Sequence, residues 1–413
     1  VSAPDFDIAV CGGGMVGATL TALLCNEPSL AELRIALIEP RLPTHPPATD
    51  VELRVSAISR ASERILTHAG AWSLLPATQR CAYQQMHVWD ARDQPDSDAA
   101  LQFAASTLGE PNLGYIIANN WLQWVALEAT QQARVTRFAT ELSGVELTDA
   151  CAKLSLQDGR RFTARLVIAA DGANSNAREY VGIATHVRPY LQTALVVQVC
   201  TERAHQFTAW QRFMPKGPIA FLPLLNGHSS IVWTTTPEHA AHLLAMSEAE
   251  LSAAITIASD RALGEVKVVA ARATFPLQLA QADEYCRHRF VLVGDAAHSL
   301  HPLAGQGVNL GLMDAAALVQ VLAEAGQSGA SLEALSELRV LRRYQRWRKT
   351  ENTLALTLVD ALNRLFSNDR ADIAALRRAG LRAVQQLPLI KRSLMLRALG
   401  VAGDVPTVVK QAI

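Results

Sequence analysis

The sequence lacks a charge imbalance: Lys plus Arg and Asp plus Glu number 38 each. Without a net basic field to attract a phosphate backbone, nucleic acid is not an expected partner. Paired cysteines are missing too. Cys11, Cys25, Cys81, Cys151, Cys200 and Cys286 follow neither a metal-ligand spacing nor a short secreted disulfide framework, which points to a reducing compartment. No HExxH and no matched carboxylate set occurs, so no metal is expected. No uninterrupted apolar run reaches the ~18 residues of a spanning helix, and the chain enters a strand without the regions of a signal peptide. The expected location is therefore cytoplasmic, with any membrane contact peripheral. Long Pro/Gly or polar tracts are absent while 50% of the chain is apolar, which excludes a disordered or fibrous protein. At 413 residues the chain is long enough for two or more domains.

The first local signal is FDIAVCGGGMVGATLTALLC, residues 6–25, an apolar strand, a glycine turn and an apolar helix. Gly12, Gly14 and Gly17 make a GxGxxG pattern. Their expected roles are a tight turn, close backbone approach to a pyrophosphate, and close helix-to-strand packing. Amides at the new helix N-terminus would hold the phosphates. The next strand, LRIALIEP, ends in Glu39, placed to accept the hydroxyls of an adenosine ribose. This unit predicts a dinucleotide site without choosing between FAD and NAD.

Two further signals narrow the choice. TARLVIAADGANSNAR, residues 163–178, is an apolar strand ending in Asp171 and Gly172, with Arg178 able to pair with an acid or a phosphate. A capped strand-to-helix turn is the plainer reading of that segment. RFVLVGDAAHSLHPLAGQGVNLG, residues 289–311, places Gly294 and Asp295 at a strand end, where a ribityl hydroxyl would find an acceptor. Beyond Pro302, Gly305, Gly307 and Gly311 permit backbone approach to a flat ring, and the following helix would offer its amides to a reduced, anionic flavin. FAD is the ligand that uses all three segments.

GGGMVG at 12–17, ELRVSAIS at 52–59, ADGANS at 170–175 and GDAAHSLHPLAGQGVNLG at 294–311 together resemble the flavin signatures of class A flavoprotein aromatic monooxygenases. The group resembled is the ubiquinone-biosynthesis hydroxylases, particularly those acting at ring carbon C5. The resemblance covers nearly the whole chain, including RRYQRWRK and the closing LPLIKRSLMLRALG. It implies FAD as cofactor, NADH or NADPH as reductant, dioxygen as cosubstrate, a C4a-hydroperoxyflavin as oxidant and a polyprenylated phenol as substrate. It also implies Arg54 and Gln123 beside FAD, Asp295 at its ribityl or phosphate portion, Val308 and Asn309 in the cofactor loop, and Pro302, Gly305, Gln306 and Gly307 along the flavin face. His298 and His301 are candidates for acid–base work, or for structural hydrogen bonding of the loop. The chain departs from its relatives at Ala118 to Trp121, where an acidic or other polar residue is common. Trp121 and Trp124, three apart on a helix, suit burial against a core.

The resemblance implies an α/β fold: a Rossmann-like FAD-binding domain of the aromatic hydroxylase type, an inserted, mostly antiparallel β-sheet substrate domain and a helical C-terminal region. The FAD-binding domain is expected to be discontinuous, over residues 1–80, 111–183 and 272–365. Strand patterns place the substrate domain at 81–110 and 184–271. Phe221, Leu222, Pro223 and Leu224 would give either an apolar wall for substrate or ordinary sheet core. Residues 40–53, rich in proline, read as a loop. Residues 366–413 read as helices in which Arg377, Arg378, Arg382, Lys391, Arg392 and Arg397 alternate with apolar residues, as on a surface for a peripheral membrane contact at the cytoplasmic face of the inner membrane or for a biosynthetic complex. Competing functions are a hydroxylase of another ring position or of a soluble phenol, an NAD-dependent dehydrogenase, and a noncatalytic flavin- or lipid-binding accessory protein.

Overall fold

The run Phe6–Cys11 is buried from Asp7 onward and has no polar face, the pattern of a strand covered on both sides. It lies at the centre of a parallel sheet ordered Phe290–Leu292, Arg161–Ala169, Phe6–Cys11, Ile35–Ile38, Val135–Phe138. The computed structural model that shows this describes residues 3–48, 52–299, 306–328, 331–367 and 371–410. Register aligns Cys11 with both Ala169 and Ile38, and Ala169 with Leu292, so four carboxyl ends finish along one edge. The chain leaves the central strand toward Ile35–Ile38 and later returns to its other side at Arg161–Ala169. That reversal opens the crevice in which doubly wound sheets bind ligands.

Helices Met15–Asn26, Asn119–Glu128 and Gln306–Gln327 share one core with this sheet. Gly294 and Gly311 both pack on Val16, which draws the first glycine helix, the Asp295 turn and the long helix together. The segment Gly307–Gln327 is apolar and long enough to cross a membrane, yet 78% of its most apolar window is buried inside the protein.

A second sheet runs His298–Ser299, Val266–Ala282, Thr185–Thr201, Ser229–Thr235, Ile219–Pro223, Thr208–Phe213, Gln85–Asp90, Leu101–Ala104. It is antiparallel except between Thr208–Phe213 and Gln85–Asp90. Strand alternation gives it two faces. Leu195, Val197, Phe221, Ile231 and Trp233 form a core with Leu243, Leu251 and Ile255 of helices Pro237–Ala245 and Glu248–Ala258. The alternate residues turn toward the cofactor domain, where Leu222 and Leu224 pack on a small sheet of Val55–Ser59, Gly114–Ala118 and Cys81–Tyr83.

Two segments lie elsewhere than their sequence pattern suggests. Cys81–Tyr83 joins the small sheet, and the second sheet keeps Val266–Ala282 throughout and takes up His298–Ser299. The Asp295 turn is thereby tied into both domains. In the tail, Arg377 does not belong to a basic surface. Its Nε and Nη2 each lie 2.8 Å from Asp90 Oδ2, both residues are almost fully buried, and its guanidinium stacks on Phe366. Leu381 of the same helix, Ala371–Gln386, packs with Val88 and Leu101 of the second sheet.

Candidate active site

The glycine turn after the first strand is set by close approach. Gly12 has φ +104°, and a Cβ there would lie 2.4 Å from the Ala170 carbonyl oxygen; one on Gly17 would lie 1.9 Å from that of Gly12. Gly14, by contrast, has open space where its Cβ would point. That space fronts the unpaired amides of helix Met15–Asn26. Glu39 braces the turn: Gly13 N donates to its Oε2 at 2.8 Å and Arg41 N to its Oε1 at 3.0 Å. Each carboxylate oxygen keeps a further lone pair for a ribose hydroxyl. Gln123 holds the turn from the other side, donating from Nε2 to Gly13 O at 3.1 Å.

At the end of Arg161–Ala169, Asp171 Oδ2 accepts from Ala177 N at 3.0 Å. Its buried Oδ1 has no hydrogen-bond partner among the described residues. Burial pushes this carboxyl up, and Ser175 and Ala177 only partly pull it back. Gly172, next to it, leaves open space on its Cβ side. Arg178 is buried and donates to Ala296 O at 2.8 Å and Ala173 O at 3.0 Å, which locks the Asp171 loop to the Asp295 turn. Arg178→Ala strands both carbonyls and is expected to cost about 3 kcal/mol. Arg178→Lys, which keeps the charge but loses the planar fork, should restore only part of that. Thermal melts with and without added FAD check both.

Asp295 follows Gly294 in a tight turn after Phe290–Leu292. Asp295 is exposed to solvent, although protein atoms crowd around its carboxylate. Burial pushes it up, while His298 and Arg54 pull it down. Arg54 itself lies 5.1 Å over the ring of Phe275, on the second sheet. At the start of helix Gln306–Gln327, Gly307 has open space on its Cβ side. Val308 packs half-buried against the main core. Asn309 spends its side chain on fixing the helix: Oδ1 accepts from Ser59 N at 2.9 Å and Ser62 Oγ at 2.7 Å, and Nδ2 donates to Ala57 O at 2.8 Å. What Val308 and Asn309 can offer a cofactor is therefore backbone. His301, Pro302 and Gly305 lie outside the described residues, as does the side chain of Gln306.

Residues 5–353 match the family described as FAD binding domain. The 3-demethoxyubiquinol 3-hydroxylase of Escherichia coli is 37% identical over 95% of this chain and 98% of its own length. The mitochondrial ubiquinone biosynthesis monooxygenase COQ6 of Homo sapiens is 33% identical over 94% of this chain and 92% of its own. The chain belongs to the FAD-dependent hydroxylase family that these relatives represent. Among solved structures, p-nitrophenol 4-monooxygenase from Pseudomonas putida superposes with a TM-score of 0.75 at 18% identity, covering 95% of this chain and 98% of that one, a likeness of fold.

This monooxygenase uses FAD, and its residues fit the cofactor. Open space at Gly14, Gly172 and Gly307 follows the edge where the strands end, and the unpaired Asp171 oxygen and the Asp295 carboxylate are acceptors for hydroxyls on a ligand lying along it. Both acids pay a desolvation cost that such donors would relieve. The Ala118–Trp121 segment clamps Arg54 in place. Asn119 N donates to Arg54 O at 3.0 Å, Ser56 Oγ to Asn119 Oδ1 at 2.7 Å, and Asn120 Nδ2 to Glu52 Oε2 at 2.9 Å. Trp121 is buried in the main core and Trp124 packs against it.

Two sequence expectations need correction. His298 is not poised for acid–base work: it is 1% exposed, and its Nε2 lies 2.6 Å from Oδ2 of the fully buried Asp314. Asp314 also binds Arg348 Nε at 2.7 Å, Asn352 Nδ2 at 3.0 Å and Gly294 N at 3.2 Å. This cluster anchors the Asp295 turn, and sequence reasoning missed it. The available signal was a single acid within the apolar helix LMDAAALVQVL, since such an acid is rarely buried without a partner. Phe221 and Pro223 alternate onto the wrong face for substrate. Phe221 is 2% exposed in the core with helices Pro237–Ala245 and Glu248–Ala258, and only Leu222 of that trio turns toward the cofactor domain. Phe221→Ala should cost about 3–5 kcal/mol in urea unfolding while leaving KM for the aromatic substrate within about twofold, the ratio expected when no contact to substrate is lost.

Proposed function

We propose that this monooxygenase hydroxylates the aromatic ring of a polyprenylated phenol in ubiquinone biosynthesis, at ring carbon C5. The observation that carries the reading is an apolar wall, Leu222 and Leu224 packed with Val55 and Ile116, on the small sheet whose Ser59 N donates to Asn309 at the start of the cofactor-edge helix. Relatives named for ubiquinone hydroxylation over nearly the full chain support the substrate class. The motif resemblance supports C5. The name 3-demethoxyubiquinol 3-hydroxylase favours a second reading, attack at another ring carbon.

FAD, when bound, takes electrons from NADH or NADPH and activates dioxygen for transfer to the ring. The amides at the start of Met15–Asn26 would hold its phosphates, Asp171 and Asp295 its hydroxyls, and the first turn of Gln306–Gln327 the negative charge of its reduced ring. The apolar wall would exclude water from the reacting centre. Incubation with reductant, oxygen and a prenylated 4-hydroxybenzoate-derived phenol, followed by NMR of the product, tests the proposal. A new C5 hydroxyl supports it, a hydroxyl elsewhere supports the second reading, and no phenol product overturns both.

For a substrate that dissolves in a bilayer, each CH₂ drawn into water costs roughly 0.8 kcal/mol. We infer that helix Pro388–Ala398 meets the membrane surface. Leu389, Ile390 and Leu394 are exposed there beside Arg392 and Arg397, and no acid occurs between Asp372 and Asp404. Deleting the whole tail would uncover the contacts of Leu381, so point changes are the cleaner test. Leu389→Ser with Ile390→Ser and Arg392→Glu should lower co-sedimentation with anionic vesicles at least about tenfold. Unchanged sedimentation would remove the membrane reading.

A further inference from the structure

The second sheet carries two buried polar side chains whose bonding is incomplete. Gln198, 3% exposed, donates from Nε2 to Glu52 O at 2.7 Å, and its Oε1 has no hydrogen-bond partner among the described residues. Ser230, fully buried, is likewise without a partner at Oγ among those residues. The two are directly paired across strands Thr185–Thr201 and Ser229–Thr235, and Ser230 is also paired with Leu222. Paired side chains share a face and stand about 5 Å apart. Glu52 precedes Arg54 by two residues, so this is the face turned to the cofactor domain.

A cavity of about 160 Å³ lies on that face. Gln198 lines it together with apolar Val55, Ile116 and Leu224 and polar Glu52, Gln79 and Asn226. Gln198 Oε1 at this cavity of mixed lining, with Oγ of Ser230 opposite it across the strands, gives two buried polar atoms that can orient a ligand. Leaving such atoms unpaired is costly, and a bound partner would recover that cost.

We propose that Gln198 and Ser230 anchor the phenolic hydroxyl of the substrate. The assignment rests on the ring-hydroxylase reading and adds the residues that select the substrate's oxidation state. Because Gln198 Nε2 is engaged by Glu52 O, the amide presents its carbonyl oxygen, an acceptor. One phenolic O–H donates to that oxygen and accepts from the Ser230 hydroxyl, so a single group satisfies both. A quinone carbonyl has no hydrogen to give to Gln198. A benzoate carboxylate has none either and meets Glu52. Neither oxygen is open to solvent, so the ring enters by parting Leu222 and Leu224, which pack half-buried over this face. The site therefore selects neutral phenols over their ethers, quinones and carboxylates.

The test uses the full-length, FAD-loaded protein. Binding of the prenylated phenol and of its O-methyl ether is followed by the change in flavin absorbance for wild type, Ser230→Ala, and Gln198→Leu with Ser230→Ala. Ser230→Ala leaves the Gln198 to Glu52 bond intact, so it separates recognition from folding. Wild type should prefer the phenol over the ether roughly 100-fold; Ser230→Ala, which removes a donor that both ligands use, should weaken binding of each roughly 10-fold, and the double variant should cut the preference below about threefold. FAD content and the melting temperature report the fold of each variant. If, with FAD and the wild-type melting temperature retained, Ser230→Ala binds the phenol as tightly as wild type or the double variant keeps the full preference, the anchor is overturned while the ring-hydroxylase reading stands. A wild type that neither binds nor hydroxylates any phenol overturns both.

Discussion

Gly14→Val is expected to give a folded protein that no longer retains FAD. The backbone of Gly14 is extended, at φ −70° and ψ −175°, so valine meets no conformational penalty. Nothing lies within 4 Å of the added Cβ, so the fold meets no clash. The new side chain instead fills the space in front of the helix amides that phosphates require. FAD affinity should fall at least about 100-fold, the scale of losing several charge-assisted hydrogen bonds. Gly17→Val makes the opposite case. Its Cβ would lie 1.9 Å from Gly12 O, so helix and strand must separate and the protein should unfold rather than only lose its cofactor. Visible absorbance of the purified proteins, with far-UV circular dichroism, distinguishes loss of flavin from loss of fold. If Gly14→Val kept its flavin, the phosphates would lie elsewhere.

Asp314→Asn is expected to destabilise the fold by about 3–5 kcal/mol, because it leaves His298 and Arg348 buried beside a neutral amide. Burial alone would raise the Asp314 carboxyl, but His298 and Arg348 overcome it and hold the group at about 2, below its ordinary 3.8. The sign follows from linkage: the stabilisation is fully present above the unfolded value and is lost as pH falls through about 2. Wild-type stability should therefore fall toward that of Asp314→Asn as urea unfolding is repeated from about pH 6 down to about pH 2. A gap between the two proteins that stayed constant with pH would show that the Asp314 charge is not what stabilises the cluster. Since Asp314 also holds Gly294 N, the variant should bind FAD more weakly as well.

Much of the cofactor edge is legible in the sequence because each of its signals is local. Gly12 to Gly17, Glu39, Asp171 and Asp295 all lie just past apolar strands, and parallel pairing brings such ends to one edge. What escapes the sequence depends on partners far along the chain. Asp314 meets His298, Arg348 and Asn352 only through the packing of two long helices on the Asp295 turn. Arg377 reads as surface until Asp90 is found beneath it. Phe221 and Leu222 are equally apolar, so their order does not reveal which belongs to the helix-covered face. The sheet register decides that. Gln198 and Ser230 fall in apolar runs, and only the pairing that sets them opposite each other on the cofactor-facing side suggests a role.

The central claim is that one edge of the parallel sheet holds FAD while the facing sheet presents a phenol to it for oxygen transfer. The most direct measurement is turnover of the FAD-loaded protein with NADH or NADPH, a prenylated phenol and isotopically labelled dioxygen, with mass analysis of the ring. The account predicts phenol-dependent consumption of reductant and one labelled oxygen in the product. Reductant oxidised at the same rate without phenol, with no label on the ring, would contradict it.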